Sequence, residues 1–338
     1  MPLPDTGADD RPGAEVLAAL SASVGQRVSV RRAVPGGLAD VVGELLSVAP
    51  DGLVVRRRDG TQVLVAASDL VAGKVVPPPR GRLRTASDVS DLTLERLAAH
   101  GWRPLEREDL GQWRLRAAGG FTGRANSVLP LGPPDRPVDE ALAVVRDWYW
   151  ARTLVPRFQV PLPLAADLDD VLRADGWSAY DPVLVMVADV TPALMLATDR
   201  VPGRDDLITT VADEPDQRWL ATYRYRGAEL PPGARTVLVN ADRPLFFTTS
   251  TRDGTVLAVA RAALTGPWAG VTAVDVVPSA RRSGVGTLVM RDLLADVGRR
   301  GARHVYLQVA ADNAPARALY DALAFVEHHR YHYRRWDA

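Results

Sequence analysis

The chain of 338 residues has no cysteine, which excludes disulfides, thiolate zinc sites, iron–sulfur ligation and a cysteine nucleophile together. Lysine is almost absent: Lys74 stands alone, so nearly every positive charge is an arginine, a bias that GC-rich coding DNA explains. Neither sign of charge is in excess, since 41 basic residues balance 41 acidic ones. A chain whose main task was to hold nucleic acid would carry a basic surplus. No apolar run approaches the ~20 residues that span a bilayer. The opening MPLPDTGADDRPG carries acids and prolines where a secretory leader needs a basic start and an apolar stretch. These absences predict a cytoplasmic protein with no membrane partner. What is present, 47% apolar and 24% charged residues, is the composition of an ordinary globular chain, and its length predicts two domains or three small ones.

Residues 1–20 read as a flexible tail. Residues 21–78 read as closely spaced strands parted by Pro35-Gly36-Gly37, Pro50-Asp51-Gly52 and Asp59-Gly60, and Asp-Gly between alternating runs is a hairpin signal. The strand order and that hairpin resemble SH3-like β-barrels, a module through which a protein partner would be held. Arg56, Arg57 and Arg58 alternate between faces and read as a solvated edge. The proline-stiffened VPPPRGRLR, residues 76–84, marks a boundary. Beyond it, helices and strands alternate in two blocks, 86–200 and 205–338, that look like copies of one unit. Each holds a helix, a strand (RFQV or YLQV), a helix and an aromatic; Gln159 precedes Gly176 by 17 positions, and Gln308 precedes Ala324 by 16. Agreement of order and spacing predicts an internal duplication.

The sharpest chemical signal is Val276-Val277-Pro-Ser-Ala-Arg281-Arg282-Ser283-Gly284-Val285-Gly286-Thr287, between the strand TAVDVV and a helix whose apolar stripe is Leu288, Val289, Leu293, Leu294 and Val297. A helix N-terminus gathers unpaired N–H groups and the positive end of the helix dipole, and glycines let a phosphate approach without a Cβ in the way. Pyrophosphate suits such a turn, although a Gly-x-Gly turn alone is also a common tight connection. The order strand, V-V-P, Arg281-x-x-Gly284-x-Gly286, helix, strand, Asn313, then Leu319-Tyr320 before Leu323 and Phe325 resembles the acetyl-CoA-binding half of the GNAT acyltransferases. The whole chain resembles an actinobacterial type with an SH3-like barrel ahead of a tandem GNAT fold, a mixed α/β (α+β) architecture. The resemblance implies acetyl-CoA as acyl donor, its pyrophosphate cradled by Arg282, Ser283, Gly284, Val285, Gly286 and Thr287 beside Arg281. It further implies main-chain pairing of the pantetheine arm with Val276 and Val277, a contact from Asn313, and Tyr320 as the acid for the departing thiolate.

Acyl transfer also needs a base for the amine and a donor for the oxyanion. Asp275 is the candidate base, although strand alternation leaves its face open; Glu229 is a candidate for the pocket. Strict alternation puts His328 and His332 on one face and His329 on the other, so these histidines read as a polar sheet edge, and no metal is expected. In the first copy the loop is Leu129-Pro-Leu-Gly132-Pro-Pro134, whose prolines remove N–H donors, and Leu172 falls where the second copy has Tyr320. That half reads as degenerate, with Gly120–Ser127 as either a cleft segment or a surface hairpin. The expected activity is N-acetylation of an amine, on a small molecule or on a protein lysine or N-terminus, by direct attack in a ternary complex. The alternative is a non-catalytic acetyl-CoA sensor that recruits a partner through the barrel.

Overall fold

The computed structural model describes residues 12–57, 60–76, 85–201 and 206–337, so Arg58 and most of the proline-rich boundary lie outside the described residues. The chain divides into two compact units, residues 1–82 and 83–338.

In the first unit, α1 (Pro12–Leu20) precedes β1 (Arg27–Val34), β2 (Gly37–Ala49), β3 (Gly52–Arg56), β4 (Gln62–Ala66) and β5 (Leu70–Val75). These strands form an antiparallel sheet in the order β4-β3-β2-β1-β5. Residues 12–20 are thus helical where a flexible tail was expected. The reason is local spacing: Leu17 and Leu20, with Val16 beside them, form a stripe that packs on Val28, Val30, Val41 and Leu45 of the sheet. Residues 1–11 of that tail lie outside the described residues.

The second unit opens with α2 (Asp91–Gly101), β6 (Glu106–Leu110), β7 (Trp113–Ala117), β8 (Leu129–Pro130), α3 (Val138–Trp150), β9 (Arg157–Leu162), α4 (Ala166–Ala174), β10 (Ser178–Asp189) and α5 (Val190–Arg200). It continues with β11 (Leu207–Ala212), α6 (Gln217–Thr222), α7 (Ala234–Val239), β12 (Pro244–Thr251), β13 (Val256–Thr265), β14 (Trp268–Val276), α8 (Val285–Arg299), β15 (His304–Ala310), α9 (Ala314–Asp321) and β16 (Val326–Arg335). One eight-stranded sheet runs β11-β12-β13-β14-β15-β10-β16-β9, and β6-β7-β8 form a smaller sheet bridged to β9 by the parallel contact of Val128 with Phe158.

The repeated unit is visible here as an exchange. The strand after α4, β10, pairs with β15 of the other repeat, and the strand after α9, β16, pairs with β9. β10 and β16 pair with each other between them. Each repeat therefore completes the other's sheet, and the ladders of the two halves are continuous.

Alternation along these strands splits the core in two. Leu245, Phe247, Ala258, Ala260, Val271 and Leu307 pack under α5, α8 and α9. The opposite face carries Trp219 of α6, Val237 and Leu238 of α7, and Leu94 and Ala98 of α2. Packing there is close enough to need glycine at Gly270, where an added Cβ would lie 2.4 Å from Cζ of the Tyr306 ring. Gly270→Ala must displace that ring, which also abuts Gly101 of α2, and overpacking of this kind costs about 1–3 kcal/mol. Urea unfolding of the variant is expected to show that loss; wild-type stability would mean the ring has room to move.

Candidate active site

β14 and β15 are the parallel neighbours at the centre of the sheet, and they pair only from Trp268 opposite His304 to Val271 opposite Leu307. Beyond that point β14 follows β13 to Val276, while β15 follows β10 to Ala310. Two strands that stay with opposite neighbours must open between them, at their carboxyl ends, where ligands enter α/β sheets. The loop from Val277 to Gly284 leaves one side of this opening, and Asn313 with α9 leaves the other.

A β-bulge shapes the β14 side. Arg261 is opposite Thr272 but Val259 is opposite Asp275, and Ala273, with φ of 53°, absorbs the extra residue in the left-handed region. The bulge shifts every later residue by one face. Val271 packs under α8, and unbroken alternation would send Asp275 there too; instead Asp275 lies on the α6–α7 side, and Val274 and Val276 return beneath α8. Arg261, fully buried, braces this point: it donates to Leu238 O at 2.8 Å, Gly101 O at 2.9 Å and Thr272 Oγ1 at 3.1 Å, and its guanidinium lies 4.7 Å from the Trp102 ring centre. Burial lowers its pKa to about 10, so it remains charged.

The expected phosphate loop sits at the start of α8. Residues 278–280 form one 3-10 turn, Arg282 and Gly284 take left-handed φ of 59° and 85°, and Gly284 caps the helix. Alternating left- and right-handed residues turn successive N–H groups toward one concavity. Those of Val285, Gly286 and Thr287 have no acceptor within the helix. A Cβ at Gly286 would enter the space between Leu319 Cδ2, at 3.5 Å, and Val276 Cγ2, at 3.6 Å, so loop, strand end and α9 converge there. Arg281 and Arg282 are exposed beside it; Arg281 Nε donates to Val276 O at 3.0 Å, and Ser283 Oγ to Ala280 O at 2.7 Å.

Three expected residues hold positions more specific than sequence reasoning supplied. Val277 gives its N–H to Leu257 O at 2.9 Å, so by antiparallel alternation Val276, and not Val277, turns its main-chain groups toward the opening. Asn313 caps α9, its Oδ1 accepting from Ala316 N at 3.2 Å. Tyr320 is buried against Phe325, ring centres 5.7 Å apart, beside Leu319 on α9. Burial pushes its phenol well above the usual pKa, and its hydroxyl has no hydrogen-bond partner among the described residues.

On the opposite face Asp275 accepts the Arg224 N–H at 2.9 Å, with Arg281 Nη2 at 4.0 Å. Partial burial raises its pKa above the usual carboxylate range. Past Arg224 lies a shallow cavity of about 410 Å³ lined by Leu220, Arg224, Glu229, Leu230 and Arg235, which includes the expected pocket residue Glu229. After the exposed Gly120, the segment 121–127 is buried or half-buried, and it forms no hairpin. Asn126 is buried and accepts from Ala118 N and Gly120 N while donating to Phe121 O and Thr122 O, an internal clamp that fixes the loop. It presents Arg124, stacked on Trp102, to Gln308 Oε1 at 2.9 Å, where β15 leaves β14. Sequence reasoning missed Arg124, Gln308 and Arg261 as one group; the alignment of Gln308 with Gln159 was the available signal, because Gln159 likewise takes an arginine, Arg116, at 3.0 Å.

A family model described as "Probable histone acetyltransferase Rv0428c C-terminal" matches residues 87–334, and one described as "Rv0428c N-terminal Sm-like domain" matches residues 22–74. The Mycobacterium tuberculosis protein named "Probable histone acetyltransferase Rv0428c" is 33% identical over 325 residues, which cover 92% of this chain and 94% of that one. This chain belongs to the Rv0428c family of acetyltransferases. A Bacillus subtilis relative, "Uncharacterized N-acetyltransferase YobR", is 26% identical over 254 residues, 71% of this acetyltransferase and 96% of its own length. Among solved structures, a GCN5-related N-acetyltransferase from Kribbella flavida gives a TM-score of 0.55 at 13% identity, over 73% of this chain and 95% of that one. A tandem GNAT protein from the clavulanic acid biosynthesis pathway gives 0.52 at 16% identity, over 74% and 88%. These likenesses establish a GNAT fold behind a small all-β domain. The family model describes that domain as Sm-like, which replaces the SH3-like expectation; its strand ladder does not close from β4 to β5 among the described residues.

Proposed function

We propose that this acetyltransferase uses acetyl-CoA and moves the acetyl group to an amine by direct attack, with residues 205–338 as the catalytic half and 86–200 as a degenerate half. The observation that carries the reading is the opening of β14 from β15 beside the N–H-rich start of α8. An anionic pyrophosphate fits that concavity, with Arg281 and Arg282 at its rim, and the pantetheine arm fits the opening, within reach of the Val276 main chain and the Asn313 amide nitrogen. The first half lacks an equivalent cradle: Gly132 is packed against Gln112, Pro137 precedes α3, and buried Leu172 stands in place of Tyr320.

Chemically, an uncharged amine attacks the thioester carbonyl carbon, the oxyanion takes a strand N–H, the C–S bond breaks and the phenol of Tyr320 protonates the thiolate. The amine's proton goes to Asp275, directly or through one water, from the α6–α7 side. The raised pKa of Asp275 gives this a pH signature. The carboxylate is the basic form, so kcat/KM falls as pH drops through its folded pKa, above the ordinary carboxylate range. Asp275→Asn is expected to lower kcat/KM about tenfold and to flatten that acid limb. A variant that keeps the wild-type limb would move the base elsewhere. Release of free CoA, followed against a panel of amines, amino sugars and peptides, tests the activity itself; no amine-dependent release from any of them would refute this reading.

A further inference from the structure

β16 carries a bulge between Glu327, opposite Met186, and His329, opposite Val185. That extra residue sets aside the alternation expected for the histidines: His332 faces Asp169 of α4 at 2.7 Å, while His328 and His329 both face the first turns of α2. Both rings are buried, with side-chain exposures of 7% and 1%. Their outer nitrogens have fixed roles. His328 Nε2 lies 2.8 Å from Val89 O, and a carbonyl only accepts, so this nitrogen bears the proton. His329 Nε2 lies 2.8 Å from Oε1 of the buried Glu95 carboxylate, whose Oε2 takes Gln159 Nε2 at 3.0 Å, so it bears a proton too. A ring whose proton sits on Nε2 leaves a bare lone pair on Nδ1. The two Nδ1 atoms stand 2.9 Å apart, and Asp91 Oδ1 lies 3.4 Å from one and 4.0 Å from the other.

Three lone pairs thus converge with no donor among them. We propose that His328 Nδ1, His329 Nδ1 and Asp91 Oδ1 bind a divalent cation of the zinc type, which ties α2 to β16. The donor separations bracket the ~3.3 Å edge of a tetrahedron with zinc–ligand bonds of ~2.0–2.1 Å. The outer N–H of each ring already donates to a carbonyl or a carboxylate, the support that orients histidine ligands around a metal. A single proton shared between the rings would satisfy two of the lone pairs and leave Asp91 Oδ1 with no donor in the cluster; a cation takes all three. Asp91, partly exposed, is the side from which the ion enters and a water completes the shell.

The test uses the full chain without a histidine tag, stripped with a chelator and titrated with zinc against a chromophoric competitor. One zinc per chain is expected, with Tm rising about 5–10 °C at a hundredfold excess over Kd. Asp91→Asn, a partly exposed change that keeps the fold, weakens binding at least about tenfold, His328→Gln at least as much, and His332→Gln leaves it unchanged. No stoichiometric zinc in the wild-type chain, or wild-type affinity in both Asp91→Asn and His328→Gln, overturns the site in favour of the shared proton. Neither result depends on acetyl transfer, so this inference and the proposed activity fail separately.

Discussion

Gly284→Glu is expected to abolish acetyl-CoA binding while the protein stays folded. Gly284 caps α8 in the left-handed region, φ 85°, where a side chain costs roughly 1–2 kcal/mol. Among the described residues a Cβ there meets Val201 Cγ2 alone, at 3.9 Å, so the new side chain clashes with none of the described core. Its carboxylate would stand at the N–H groups assigned to the pyrophosphate, occupying their dipole and repelling the ligand's charge. Calorimetric titration with CoA should give a binding isotherm for the wild type and a flat trace for the variant. Gly284→Ala separates the causes, because it carries the backbone cost without the charge and should keep part of the affinity. Wild-type affinity in the glutamate variant would falsify the phosphate cradle.

Tyr320→Phe is expected to lower kcat by about 10- to 1,000-fold, the usual scale for a general acid, with KM for acetyl-CoA little changed. The hydroxyl has no partner among the described residues, so removing it breaks no interaction that holds the fold, and the ring keeps its contact with Phe325. Burial holds the phenol above its ordinary pKa of 10.0, so it is protonated and able to donate across the physiological range. An alkaline limb arising from Tyr320 should therefore be absent below about pH 10. Full turnover in the phenylalanine variant would remove Tyr320 from the chemistry and leave protonation of the thiolate to water.

How much of this was legible in the sequence follows from how local each feature is. Gly284 and Gly286 ahead of the stripe Leu288, Val289, Leu293 and Leu294 encode a strand–turn–helix connection within about twenty residues, and the structure has that connection. The repeat was legible for the same reason: Gln159 and Gln308 sit on equivalent strands because each lies a fixed distance from its own helix and aromatic. The helix at residues 12–20 was hidden by an acidic, proline-rich start, although Val16, Leu17 and Leu20 already had helical spacing.

The faces of strands could not be read in this way, since alternation holds only while a strand stays regular. One bulge at Ala273 turns Asp275 from the α8 side to the α6–α7 side, and another beside His328 sets two histidines against α2. Each bulge is set by a partner strand: Arg261 meets Thr272 across the β13–β14 hairpin, and Val185 meets His329 from far away in the chain. Likewise nothing near Arg124 announces Gln308, and nothing near β10 shows that it completes the other repeat's sheet. The sequence by itself determined most of the order of elements beyond the first helix and the strand–turn–helix at α8, because those follow from local spacing and backbone chemistry. Only the tertiary structure decided which side chains share a face and which repeat supplies each strand, because the register of strand against strand sets the first and pairing between distant parts of the chain sets the second.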